Sequence, residues 1–110
     1  MSERGLRLLG MGLRAGTVVL GVAGVRAGLR RRELALVVVA GDYSPRTAAK
    51  VIRVARAQGV PVLGAGGGVE LGARLGRGSI QAAGVRDPHL AAGILGRRER
   101  TGDGQDGGRV

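Results

Sequence analysis

Leu6, Leu9 and Leu13 recur at the three- and four-residue intervals of one helical face, and Arg7 and Arg14 fall to its side. This pattern predicts a first helix that ends at Gly16. Residues 17–20 are rich in β-formers and stop at Gly21, after which Val22, Val25 and Leu29 resume the helical interval with Arg26 and Arg30 beside them. Residues 34–40 form an unbroken apolar run, the pattern of a strand covered by helices on both faces. Ser44 reads as the cap of a third helix, Pro45 as its first turn, and Gly59 with Pro61 as its end. Ala48, Val51, Ile52 and Ala55 gather on one side of that helix. Arg46, Lys50 and Arg53 fall on the other side, within about one sixth of the circumference at ~100° per residue, and should face solvent in one line. There follow a strand at 60–63, a flexible connection at 64–68, a short helix at 69–75 and a glycine- and alanine-weakened strand at 79–85. A final helix, opened by Asp87 and Pro88, runs through Leu95.

With 110 residues, 44% of them hydrophobic, the chain has room for one domain with a real core. Residues 1–95 are expected to form it; residues 96–110, polar and glycine-rich with no apolar period, are expected to be disordered. The tail holds four Arg against three acids, so the body keeps 14 of the 18 cations against 5 of the 8 acids, and +9 of the net charge of +10 belongs to the fold. A polyanion is the expected partner. Lys50 is the one lysine among these cations; arginine forks onto phosphate oxygens and is weakly hydrated, which suits a nucleic-acid backbone. Tyr43 is the single aromatic residue, which argues against recognition of single strands by base stacking. Uncharged apolar stretches fall well short of the ~18 residues of a membrane span, so no membrane partner and a cytoplasmic location are expected.

Chemistry finds little purchase. The chain has no cysteine and one histidine, which leaves no thiolate metal site and no Ser-His or Cys-His pair of the usual kind. His89 follows a cap and a proline and reads as a surface residue; Ser44 and Ser79 read as a cap and a strand start. Asp42 and Glu70 belong to different loops and do not suggest an acid–base pair. The stretch GAGGGVELG invites a phosphate-cradle reading, but its spacing fails: Gly64-x-Gly66 is followed by Val69, and Gly66-x-Gly68 by Leu71. No enzymatic activity, cofactor, metal or small-molecule substrate is expected.

The order of elements, with Arg14-Ala15-Gly16 and Gly21 around the first strand, LALVVVAGDYSP in the middle, Val60-Pro61-Val62, and Glu70-Leu71-Gly72 with Gly76, resembles the kink-turn-binding ribosomal protein superfamily. Its best-known members are the archaeal large-subunit proteins L-seven-Ae and L-thirty-e, and the likeness over residues 5–95 is greatest to the short bacterial branch. The resemblance implies an α/β fold, a three-layer α/β/α sandwich around a small mixed β-sheet. It also implies RNA binding on an edge made of three loops, here residues 21–27, Gly41-Asp42 and residues 77–80. Kink-turn binders of the superfamily carry G-x-N-E-x-x-K at the first loop, where Asn and Glu reach guanine edges and Lys meets phosphate. Here Ala23, Gly24 and Ala27 hold those positions, with Arg26 one residue before the last, so guanine readout is not expected to survive while phosphate contact is.

The residues expected to meet RNA are Gly21, Val22, Ala23, Gly24, Arg26, Arg30, Asp42, Arg46, Lys50, Arg53 and Arg77. The function expected is binding of structured, kink-turn-like RNA by a ribosome-associated protein, mainly through arginine–phosphate contacts. The alternatives are a scaffold or protein-interaction domain that has lost RNA binding, and a substrate-recognition domain related to those fused to RNA methyltransferases.

Overall fold

A computed structural model describes residues 1–96. Local signals set most of its boundaries. Ser2 caps α1 (Glu3–Arg14), its hydroxyl accepting the Gly5 amide at 2.9 Å, and Gly16, at φ +82°, turns the chain into β1 (Val18–Leu20). α2 (Val22–Arg30) leads to β2 (Leu36–Val39). Ser44 accepts the Thr47 amide at 3.1 Å and opens α3, one continuous helix over residues 45–57. It is α-helical over Pro45–Thr47, π-helical over Ala48–Ile52 and α-helical again over Arg53–Ala57. β3 (Val62–Gly64), α4 (Gly68–Arg74), β4 (Ala82–Val85) and α5 (Pro88–Leu95) complete the domain. Gly96 closes α5 in the left-handed conformation; the rest of the expected tail lies outside the described residues.

The four strands run in the order β1-β4-β2-β3. β4 is antiparallel to both neighbours, pairing Val85 with Val18 on one side and with Leu36 on the other, while β2 and β3 are parallel through Val37 and Val62. Helices cover both faces, which makes a three-layer α/β/α sandwich with a mixed sheet. The unbroken apolar run has this cause: side chains alternate across a strand, so Leu36 and Val38 join Leu9, Leu71 and Ile94 in one core while Val37 and Val39 join Val25, Leu29 and Val51 in the other. The first core lies under α1, α4 and α5, the second under α2 and α3.

Small residues set the layer spacing. Leu34 is wedged between α2 and the sheet, where a Cβ on Gly28 or on Gly84 would come within 2.8 Å of its methyl groups. The glycine that weakens β4 as a strand thus makes room for a leucine.

Several expected boundaries shift. β3 starts at Val62 rather than at residue 60, because the Val60 amide still bonds back to Ala55 at 2.9 Å. The last strand is shorter than 79–85 because the Ile80 amide donates to Gly68 at 2.9 Å, which holds residues 79–81 against α4. Within residues 64–68, Gly64 belongs to β3 and Gly68 to α4. Among the described residues, no helix is long and apolar enough to cross a membrane.

Candidate nucleic-acid interface

Both β1 and β2 run against β4, and β3 runs with β2, so three strands end at the edge where β4 begins. The three loops expected to act together therefore meet there. The Gly21 amide donates to Ala82 at 2.8 Å, Ala40 to Gln81 at 2.9 Å, and Gly41 to Gly66 at 2.9 Å. Gly21 has φ +88° and ψ 157°, a conformation open in practice to glycine alone.

Gly21 is also the cap residue of α2, and it brings no side chain to the first-turn amides. No acid stands in that turn either. The other helices are served: α1 by Ser2, α3 by Ser44, α5 by Asp87, and α4 by two carboxylates. Among the described helices, α2 alone keeps the positive end of its dipole open. Beside it, Ala23 is exposed and Val22 and Gly24 are half-buried.

Arg26 and Arg30 stand one turn apart on the outer side of α2. With Ala49, Lys50 and Val54 of α3 they line a depression of about 220 Å³. Lys50 reaches it from the π-helical turn, where the Arg53 amide bonds back five residues to Ala48. A five-residue step turns each residue by less than the ~100° of an α-helix, so angles counted along the sequence fail here. Lys50 is half-buried beside α2, whereas Arg46 and Arg53 stay exposed and outside the lining. Arg77 is exposed in the loop after α4, its guanidinium turned to the Gly76 carbonyl at 3.4 Å.

Asp42 and Glu70 do converge, though not as a catalytic pair. Asp42 Oδ1 accepts the Gly68 amide and Glu70 Oε1 the Gly67 amide, each at 2.9 Å, and the two close the N-terminus of α4. Half of this was readable, since Gly67 precedes Glu70 by the capping-box interval. The Asp42 bond spans 26 residues and carries no local signal. Other cations have partners within the chain: Arg86 bonds the Gly16 carbonyl, and Arg31 pairs with Glu33 at 3.7 Å. Among the described residues, no three His, Cys, Asp or Glu side chains gather into a possible metal site.

A sequence model of the ribosomal protein L7Ae/L30e/S12e/Gadd45 family matches residues 4–91. Among solved structures, a protein of unknown function from Bacillus halodurans superposes with a TM-score of 0.80 at 23% identity, covering 86% of this chain and 96% of its own. The Giardia lamblia 15.5kD RNA binding protein superposes with a TM-score of 0.71 at 21% identity, covering 83% of this chain and 81% of its own. At these identities the likeness is one of fold. No curated protein sequence matches the chain.

Proposed function

The chain belongs to the ribosomal protein L7Ae/L30e/S12e/Gadd45 family, and on that premise we propose that it binds structured, kink-turn-like RNA in the cytoplasm as a ribosome-associated protein. The observation that carries this reading is that α2 combines an uncapped N-terminus with Arg26 one turn on and Arg30 at its last turn, next to Lys50 of α3. Backbone amides at a helix start donate to a phosphate, and guanidinium groups one and two turns further along meet the next phosphates of the same strand. Arg46, Arg53 and Arg77 extend the positive field around this edge, and Asp42 shapes it from within. The closed N-terminus of α4 is left to structure, because two carboxylates already occupy it.

This site grips a backbone and reads few bases. Val22, Ala23 and Gly24 carry no side-chain donor or acceptor toward a guanine edge, so preference for a kink-turn over a regular duplex comes from the shape of the bent backbone. Titrations of a kink-turn RNA and of an equal-length duplex at several salt concentrations test the reading. Affinity should fall linearly in log–log form with salt, and the kink-turn should be favoured only modestly. A chain that binds neither RNA is a scaffold domain. A hundredfold preference would falsify the loss of readout and assign it to backbone amides or Arg26.

A further inference from the structure

A second basic surface lies on the opposite face of the sheet. On α1, Arg4, Arg7, Met11 and Arg14 follow at intervals of three, four and three, the spacing of one helical stripe, and all four are exposed, Met11 to 54%. Arg74 of α4 stands across from them, and together they line a groove of about 400 Å³. Gly10 forms part of its floor, where a side chain would meet the Arg14 guanidinium at 3.6 Å. Past Leu75 and Gly76 the surface continues from Arg14 and Arg74 to Arg77, in the loop of the edge already described.

No acid lines the groove. Glu3 stands at its margin and is engaged by Arg74, which donates from Nη1 to Oε1 at 2.8 Å and from Nη2 to Oε2. Among the described residues, Arg4, Arg7 and Arg14 enter no ion pair. Three exposed guanidinium groups in one line make a positive strip that an anion can share.

We propose that this groove is a second phosphate-binding surface, which holds one strand of a duplex arm of the RNA whose bend sits on the α2 edge. The inference rests on the reading of that edge. At a rise of 1.5 Å per residue, Arg4 to Arg14 spans ~15 Å, a length over which one strand of a double helix presents several successive phosphates. Three arginines along that length match a strand better than they match one isolated anion. Met11, set between Arg7 and Arg14, offers an apolar contact to sugar faces. A membrane fits less well: Leu9 is fully buried and Leu6, Leu8 and Leu13 are half-buried, so Met11 is the one exposed large apolar side chain of α1 to enter an acyl boundary.

Two triple variants and two RNAs test the assignment. One variant carries Arg4→Gln, Arg7→Gln and Arg14→Gln, the other Arg26→Gln, Arg30→Gln and Lys50→Gln; the probes are a kink-turn RNA with a long duplex arm and the same RNA with that arm cut short. The five arginines are exposed and Lys50 is half-buried, and an unchanged thermal melt checks the fold of each variant. The α1 variant should bind the long-armed RNA with a log affinity–log salt slope shallower by ~2 to 3, about one per lost contact, and the short-armed RNA like wild type. An unchanged slope on the long-armed RNA, or an equal loss on both RNAs, overturns the arm assignment. The α2–α3 variant should weaken both RNAs; if it weakens neither, the reading of the edge fails by itself. Since the chain has no cysteine, Met11→Cys takes a single crosslinker, which should label nucleotides of the arm. Labelling confined to the bend sinks the proposal.

Discussion

Asp42 accepts the amide hydrogen of Gly68 on Oδ1 at 2.9 Å, and so fastens the loop after β2 to the first turn of α4. Glu70 does the same for the neighbouring amide of Gly67. Two carboxylates therefore complement the positive end of α4, while α2, a few residues from the same edge, has none. The contrast places the negative charge of the edge at one helix and leaves the first-turn amides of the other without an acid.

Replacing Asp42 with Ala should lower stability by about 1 kcal/mol, the usual loss for a helix-capping side chain. RNA affinity should hold or rise, since an acid leaves a surface that binds a polyanion. Thermal melts and titrations at one salt concentration check both outcomes; an unmoved melt means the bond to Gly68 contributes nothing in solution.

Ala23→Asn, Gly24→Glu and Ala27→Lys together should restore discrimination for the kink-turn, at ~1 to 3 kcal/mol per good base-edge contact on the scale known from DNA. The backbone allows the change. Ala23 is exposed, a Cβ at Gly24 meets Val19 at an ordinary 3.6 Å, and the stem of a lysine at half-buried Ala27 can reach outward. Paired titrations of kink-turn and duplex RNA read the gain, and an unaltered ratio would show that the loop does not present these positions to bases.

Gly72 lies beneath the loop that carries Arg77. A Cβ there would fall 1.4 Å from the Gly78 carbonyl oxygen, a backbone atom that cannot turn aside. Gly72→Ala should cost about 3 kcal/mol or more, at the upper end for overpacking. Gly64→Ala, which meets nothing within 4 Å, should stay within about 0.5 kcal/mol of wild type. Denaturant midpoints of the two variants decide the matter; equal midpoints would mean the loop is not seated on α4.

The hydrogen bonds from Arg74, with smaller help from the charges of Arg74 and Arg7, hold the Glu3 carboxyl below its ordinary range. A carboxyl with a lowered folded value stabilises the native state above the ordinary carboxylate range, and that contribution disappears as pH falls through the lowered value. Glu3→Gln should lower the melt slightly at neutral pH, leave it unchanged at acid pH, and so flatten its acid limb by the same small amount. It should also release Arg74, so that RNA binding steepens with salt. Melts across the acid range and a salt titration measure the two effects, and an acid limb identical to wild type would assign that limb to other carboxylates.

Much of the fold was legible because its signals are local. Ser44-Pro45 and Asp87-Pro88 mark helix starts within two residues, and the 34–40 run announces a central strand through composition alone. The line of Arg46, Lys50 and Arg53 was not legible in the same way. Its prediction assumed one angular step per residue, and the π-helical turn at Ala48–Ile52, which has no composition of its own, places Lys50 beside Arg26 and Arg30 instead. The groove of Arg4, Arg7 and Arg14 with Arg74 is likewise invisible in sequence, because Arg74 reaches α1 only through the packing of both helices on one core.

The position of β4 has a consequence for the order in which the chain can assemble. Among the described strands it is the last to be synthesised, yet it separates β1 from β2 and pairs with both. At ~5 to 20 residues per second, the chain between β2 and β4 takes seconds to emerge, and through that interval β1 has no strand to pair with. Only the parallel pair β2–β3, joined by α3, can form early. A nascent chain stopped before Ala82 therefore exposes Leu36 to Val39 along an unpaired edge, which makes it a substrate for aggregation or for a holding chaperone until the final strand slides between the two that were waiting for it.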